Sequence, residues 1–83
     1  MRVVITAEAE KQYKHLPKTE QKKVKKKLVT LENYAYVGKK LTGDLTGLRS
    51  LRVWPYRILY TVDEGKQEVT VNSIQHRQGV YKK

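Results

Sequence analysis

Cysteine is absent from these 83 residues, which excludes disulfides and thiolate metal sites. Phenylalanine is absent too, so six tyrosines and one tryptophan must supply the aromatic packing. Some of their polar ends should therefore reach solvent or a partner. Acidic residues are scarce: Asp and Glu number 8 against 18 Lys and Arg. Two histidines with no acidic cluster beside them argue against a metal site. No apolar run approaches the length of a bilayer span, and the N-terminus does not read as a signal peptide. These features predict a soluble, cytoplasmic protein that does not engage membranes.

What is present bounds the answer further. A chain of this length makes one domain, here residues 1–83. So short a chain buries only about 60–65% of the surface its unfolded form exposes, which leaves a compact core and a thin margin. Hydrophobic residues are 39% and charged residues 31%, yet Val, Ile, Leu and Tyr recur with period, so the chain is not of the disordered class. The net charge of +10 speaks to partners rather than to fold. Nucleic acid comes first, since each neutralised phosphate releases counterions. An acidic protein comes second, and a membrane surface a weaker third, because no helix shows an insertion face rich in Trp and Leu. Charge alone is also compatible with nothing more than a very soluble basic surface.

Along the chain, Arg2-Val3-Val4-Ile5 reads as a first strand. Thr6 offers an N-cap, and Glu8 and Glu10 suit the first turn of a helix whose apolar stripe is Ala9, Tyr13 and Leu16. Pro17 breaks it and opens a second helix from Lys18 to about Asn33, with Val24, Leu28, Leu31 and Ala35 on its core side. Lys22, Lys23, Lys25, Lys26 and Lys27 cover the rest. Gly38 to Gly47 is expected to be a loop. Strands follow at Leu48 to Val53, Tyr56 to Asp63 and Glu68 to Gln75, with a Trp54-Pro55 turn and an Asp63-Glu64-Gly65-Lys66 turn between them. The expected fold is α+β: an N-terminal strand, a helical hairpin, an antiparallel three-stranded meander with both helices on one sheet face, and a short C-terminal tail.

Strand alternation then sorts the side chains. Leu51 and Val53 should face the helices, as should Tyr56, Ile58, Tyr60 and Val62. Ser50, Arg52, Trp54 and Arg57 should face the other way, with Arg77 beyond the last strand joining them. An isolated exposed arginine such as Arg52 is usually just a solvated residue. Arg57 sits in an apolar context, Pro55-Tyr56-Arg57-Ile58-Leu59-Tyr60, which makes that role less natural. His76 alone is more often structural than catalytic, Tyr81 can anchor the tail, Trp54 can cap the sheet, and a lysine run is most often a solvated helix face. If those lysines act, Lys22, Lys23 and Lys26 would steer RNA or hold phosphates without reading bases. No carboxylate pair, Ser/His/Asp set or Gly-rich phosphate loop is present. An enzyme built on this chain must work with Arg, Lys, His and Tyr.

At these residues the chain resembles the RelE/ParE toxin superfamily, on the RelE side. The resemblance covers nearly the whole length: the first strand, the hairpin with its Leu16-Pro17 break, and Lys40-Leu41-Thr42-Gly43. It continues through Leu51-Arg52-Val53 and Tyr56-Arg57-Ile58-Leu59-Tyr60 to Ile74, His76-Arg77 and Tyr81. It implies the toxin of a type II toxin–antitoxin system. The implied activity is that of a metal-independent endoribonuclease (an mRNA interferase) needing no cofactor. It binds the 70S ribosome and cuts mRNA in the A site by attack of a 2′-hydroxyl on the adjacent phosphate, which inhibits translation.

Carried over by position, the resemblance makes Arg52 a basic residue near the scissile phosphate and Arg57 a phosphate stabiliser. It makes Arg77 the partner of the leaving group, and Tyr81 the residue that stacks on the messenger or moves a proton. The family's basic residue two positions before Arg52 is here Ser50, which leaves the general base undecided, and His76 is a substitute because imidazole titrates near neutral pH. Trp54 and the lysines are the RNA-binding candidates. A cognate antitoxin is implied as partner, and operator DNA only through the antitoxin complex. The alternatives are a ParE-like, non-enzymatic inhibitor of DNA gyrase and a degenerate relative that only binds its antitoxin.

Overall fold

A computed structural model describes residues 1–43 and 47–76. Strand β1 (Arg2–Ile5) leads into helix α1 (Ala7–Lys14) and helix α2 (Lys18–Asn33). Four strands follow: β2 (Lys39–Lys40), β3 (Arg49–Val53), β4 (Tyr56–Asp63) and β5 (Glu68–His76). The fold is α+β, as the sequence predicts.

Two features enlarge the expected meander. Among the described residues the sheet has five strands in the order β1-β5-β4-β3-β2, and it is mixed, because β1 runs parallel to β5. The stretch read as a loop from Gly38 to Gly47 contains β2, whose Lys39 and Lys40 pair with Ser50 and Arg49 of β3. A two-residue strand carries no hydrophobic alternation, so no pattern announces it. Among the described residues no helix is long and apolar enough to cross a membrane.

Local chemistry sets the helix ends. Thr6 accepts a hydrogen bond from the Ala9 amide at 3.2 Å and so caps α1, with Glu8 and Glu10 in its first turn. At the other end, the Gln21 side chain donates to the carbonyls of Tyr13 and Leu16, at 3.2 and 3.0 Å, while the Tyr13 hydroxyl donates back to the Gln21 carbonyl. This clasp fixes the hairpin by giving partners to carbonyls that end a helix.

Both helices pack on one sheet face. Ala9 of α1 and Val24, Leu28 and Leu31 of α2 join Val53, Ile58, Tyr60, Val69, Val71 and Ile74 in a single core. The register of β4 with β5 slips once, so that Leu59 pairs with Ser73 but Tyr60 with Val71. The bulge lets Val71 and Ile74 both point at the helices, although they are three residues apart. Beyond the end of β1, α1 serves the edge of β5: the Gln12 side-chain carbonyl accepts from the Ile74 amide at 2.7 Å.

Tyr60 closes the core at the β2 side. It is fully buried, and its hydroxyl donates to the Ala35 carbonyl and accepts from the Gly38 amide, both at 2.8 Å. A Cβ on Gly38 would lie 2.5 Å from that oxygen, so only glycine fits.

Candidate phosphate-binding face

The tight turn after Val53, with its cis Trp54–Pro55 bond, folds β4 back on β3 in strict register. Arg52 stands directly opposite Arg57, Leu51 opposite Ile58, and Val53 opposite Tyr56. Because Leu51, Val53, Tyr56 and Ile58 belong to the core face, pleating sends both arginines to the face without helices. Cross-strand neighbours lie about 4.5–5.5 Å apart at Cα, so two guanidinium groups share a small area. Arg52 is exposed and Arg57 half-buried, and Gln75 of β5 is the register partner of Arg57. Like charges placed opposite one another in a sheet destabilise it, and an anion between them relieves the repulsion.

The neighbouring column of the same face is Lys39–Ser50–Leu59–Ser73, read across β2, β3, β4 and β5. Lys39, Ser50, Arg52 and Arg57 line one groove of about 540 Å³ together with Val37, Leu41 and Leu51. Lys39 was hidden in the sequence because it fell in the presumed loop. The readable signal was the run Val37-Gly38-Lys39-Lys40-Leu41, a short stretch next to a strand with a basic pair.

The other candidates are distributed differently. His76 pairs with Tyr56, and their rings meet edge to face at 5.5 Å with an interplanar angle of 89°. It ends β5 on the side of Tyr56, hence across the sheet from the arginine pair. Trp54 is 59% exposed at the β3–β4 turn. Lys22, Lys23 and Lys26 are exposed on α2, with Lys22 and Lys26 on the side of the helix away from Val24, Leu28 and Leu31. They thus face away from the sheet and from the arginines, and Lys23 forms an ion pair with Glu20 at 3.3 Å. Arg77 and Tyr81 lie outside the described residues.

Arg49, adjacent to Ser50 in sequence, is committed elsewhere. Its guanidinium donates to the Gly38 carbonyl at 2.8 Å and the Tyr36 carbonyl at 3.2 Å, and it sits 4.9 Å over the Tyr36 ring. The Tyr36 hydroxyl donates to Glu64, and that bond raises its pKa above the ordinary value. This cluster ties β2 and β3 to the β4–β5 turn on the helix side.

The comparisons with known proteins agree with this architecture. The sequence model of the family described as "ParE toxin of type II toxin-antitoxin system, parDE" matches residues 3–81. The chain belongs to the ParE toxin family of type II toxin–antitoxin systems. A curated relative, Toxin RelE of Mycobacterium tuberculosis, is 38% identical over 52 residues, which are 63% of this chain and 54% of the relative. The matched stretch thus spans about half the length of that relative. The chain also superposes on one chain of the RelBE2 toxin–antitoxin complex of M. tuberculosis with a TM-score of 0.85 at 29% identity, covering 92% of this chain and 96% of that one. The isolated E. coli RelE toxin gives a TM-score of 0.80 at 26% identity, with 90% and 82% covered. A YoeB/ParE toxin from Agrobacterium tumefaciens shares the fold, with a TM-score of 0.79 at 20% identity over 92% of this chain and 98% of that one.

Proposed function

We propose that this toxin is a ribosome-dependent endoribonuclease that cuts messenger RNA in the A site and stops translation. The observation that carries the reading is the Arg52–Arg57 cross-strand pair in a groove of a size to take a phosphodiester. In the reaction a 2′-hydroxyl loses its proton and attacks the adjacent phosphorus, and the bond to the 5′-oxygen breaks. The products are a 2′,3′-cyclic phosphate and a 5′-hydroxyl that takes up a proton. Negative charge builds on the non-bridging oxygens in the transition state. Arginines already fixed in a sheet can meet it without reorganising, and one such donor is typically worth about 10²–10³ in rate. Arg77 is assigned to the leaving oxygen and Tyr81 to stacking on the messenger, both by resemblance. His76 is the less natural base, given its position across the sheet from Arg57. Lys22, Lys23 and Lys26 would then meet RNA on the far side of the molecule from the cut.

The reading sets the toxin in the cytoplasm, held inactive by a cognate antitoxin. Support for that partner comes from relatives solved as toxin–antitoxin complexes, among them RelBE of E. coli. An acidic antitoxin segment suits a toxin of net charge +10. A second reading, inhibition of DNA gyrase without catalysis, is favoured by one observation: the matching family is the one named for ParE.

Primer extension on a translated messenger, with and without ribosomes, separates the two. Wild-type toxin should cut within A-site codons only when ribosomes are present, and Arg57→Ala should reduce cutting by about 10²–10³. An intact messenger, with loss of supercoiling by gyrase in a parallel assay, would establish the second reading instead.

A further inference from the structure

The short strand β2 puts a third cation on the arginine face. Lys39 is the register partner of Ser50, and partners in an antiparallel pair project to the same side of the sheet. Ser50 and Arg52 are two residues apart on β3, hence on that same side and about 6.5–7 Å from one another. Arg52 faces Arg57 across the next ladder. Lys39, Arg52 and Arg57 therefore surround one groove, and Ser50 is the short side chain on its floor. A long residue at Ser50 would fill the space that the Lys39 ammonium has available. Among the described residues no carboxylate pairs with Lys39, whereas Lys23, Lys14 and Arg2 each have an acidic partner.

Lys40 provides the contrast. It is adjacent in sequence and on the same strand, but it pairs with Arg49 and turns to the helix side, toward Tyr36 and Glu64. Edge-strand lysines often serve only to block pairing with other chains. That service would be rendered equally by either lysine. Only Lys39 shares a groove with the arginine pair.

We propose that Lys39 is a further substrate-contacting residue, which donates to a phosphate oxygen of the RNA from β2 and takes the position beside Ser50 that β3 leaves without a cation. The proposal rests on the nuclease reading for its catalytic consequence, but the phosphate contact can be measured separately.

The test uses the full chain in four forms: wild type, Lys39→Met, Lys40→Met, and Lys39→Met combined with Ser50→Lys. The two single variants remove the same charge from the same strand, and thermal melts establish that all four fold. Two readouts are taken. The first is ribosome-dependent cutting of a translated messenger. The second is binding of a short single-stranded RNA with 2′-O-methyl sugars, which has no free 2′-hydroxyl to attack the phosphate, followed by fluorescence anisotropy across a salt series.

Lys39→Met should slow cutting about 10- to 100-fold, and lower the salt slope of RNA binding by about 0.7. Lys40→Met should change neither beyond about twofold by the same reasoning. Ser50→Lys should restore most of what Lys39→Met loses, because it returns a cation to the same place from the adjacent strand. Equal behaviour of Lys39→Met and Lys40→Met in both readouts overturns the proposal, as does failure of the wild type to bind the RNA. If no form cuts, yet RNA binding depends on Lys39 and not on Lys40, the nuclease reading falls and the phosphate contact stands.

Discussion

The two faces of one sheet are built on opposite terms. On the helix-covered face, apolar side chains interlock, and each polar group brought inside has a partner. The Tyr60 hydroxyl both donates and accepts, Gln12 serves the Ile74 amide, and among the described residues no buried side-chain nitrogen or oxygen lacks a partner. On the other face, β3 and β4 hold two arginines opposite one another, with Lys39 in the next column. The first arrangement lowers the energy of the folded chain. The second sets like charges opposite one another, an arrangement that favours an anion beside them. One residue of strand parity separates the two, which lets a very small domain carry both stability and a charged site without compromise at any single position.

The comparison can be broken most severely at Gly38. An added methyl would meet the Tyr60 hydroxyl at 2.5 Å, and displacing it breaks both of its hydrogen bonds. Gly38→Ala should cost about 2–4 kcal/mol, read as a lower midpoint in urea with an unchanged slope. Tyr60→Phe should cost a similar amount, about 2–4 kcal/mol, by leaving a buried amide and carbonyl unpaired.

Tyr60 also imposes a pH dependence. Burial is the main cause that raises its pKa above the ordinary 10.0, and the Gly38 amide opposes it. The neutral phenol is the form that fits, so the folded state holds its proton longer than the unfolded state. That contribution is complete below pH 10 and is lost as the pH climbs from about 10 through the raised folded value. Tyr60→Phe should therefore be less stable at neutral pH and show a flatter alkaline limb in denaturation measured from pH 8 to 11.

A milder break lies at the β5 edge. Gln12→Ala removes the acceptor for the Ile74 amide, at a cost of about 1–2 kcal/mol. Amide exchange at Ile74 should speed up more than at Val69 or Val71, which remain in the ladder with β1.

The smallest effect sharpens the contrast because its sign is reversed. Arg52→Gln relieves the like-charge pair with Arg57 and should leave the fold unchanged or more stable by about 0.2–1 kcal/mol. The same substitution should weaken RNA binding and lower its salt slope by about 0.7. A loss of stability at Arg52 would mean that the arginine face, too, is part of the structural frame.

Much of this was legible in the sequence. Thr6 with Glu8 and Glu10 marks the start of α1, Pro17 marks the break, and the spacing of Val24, Leu28 and Leu31 marks the buried side of α2. Alternation through Leu51, Val53, Tyr56, Ile58 and Tyr60 assigns the core side of two strands and so exposes Arg52 and Arg57 as a pair. These signals are local, and each is repeated often enough to outweigh a single exception. What stayed hidden came from contacts far apart in sequence. The parallel pairing of β1 with β5 joins residues 66 apart, with Val3 beside Val69. The bulge after Val71 breaks the alternation that would have oriented Ile74 and His76. Strand β2 is too short to carry a period, and Lys39 is invisible as a site residue without it.

By itself the sequence determined the class of fold, the strong positive charge, the two helices, and the placing of Arg52 and Arg57 on the face without helices, because alternation along a strand sends every second residue to the same side. Only the tertiary structure decided which other cations join them. It seated Lys39 beside Ser50, turned Lys40 to the helix side, and ended β5 with His76 away from the arginines. The reason is physical: a strand's own pattern fixes which side each residue takes, but which neighbour it meets there depends on register with a partner strand. Hydrogen bonds between distant segments set that register.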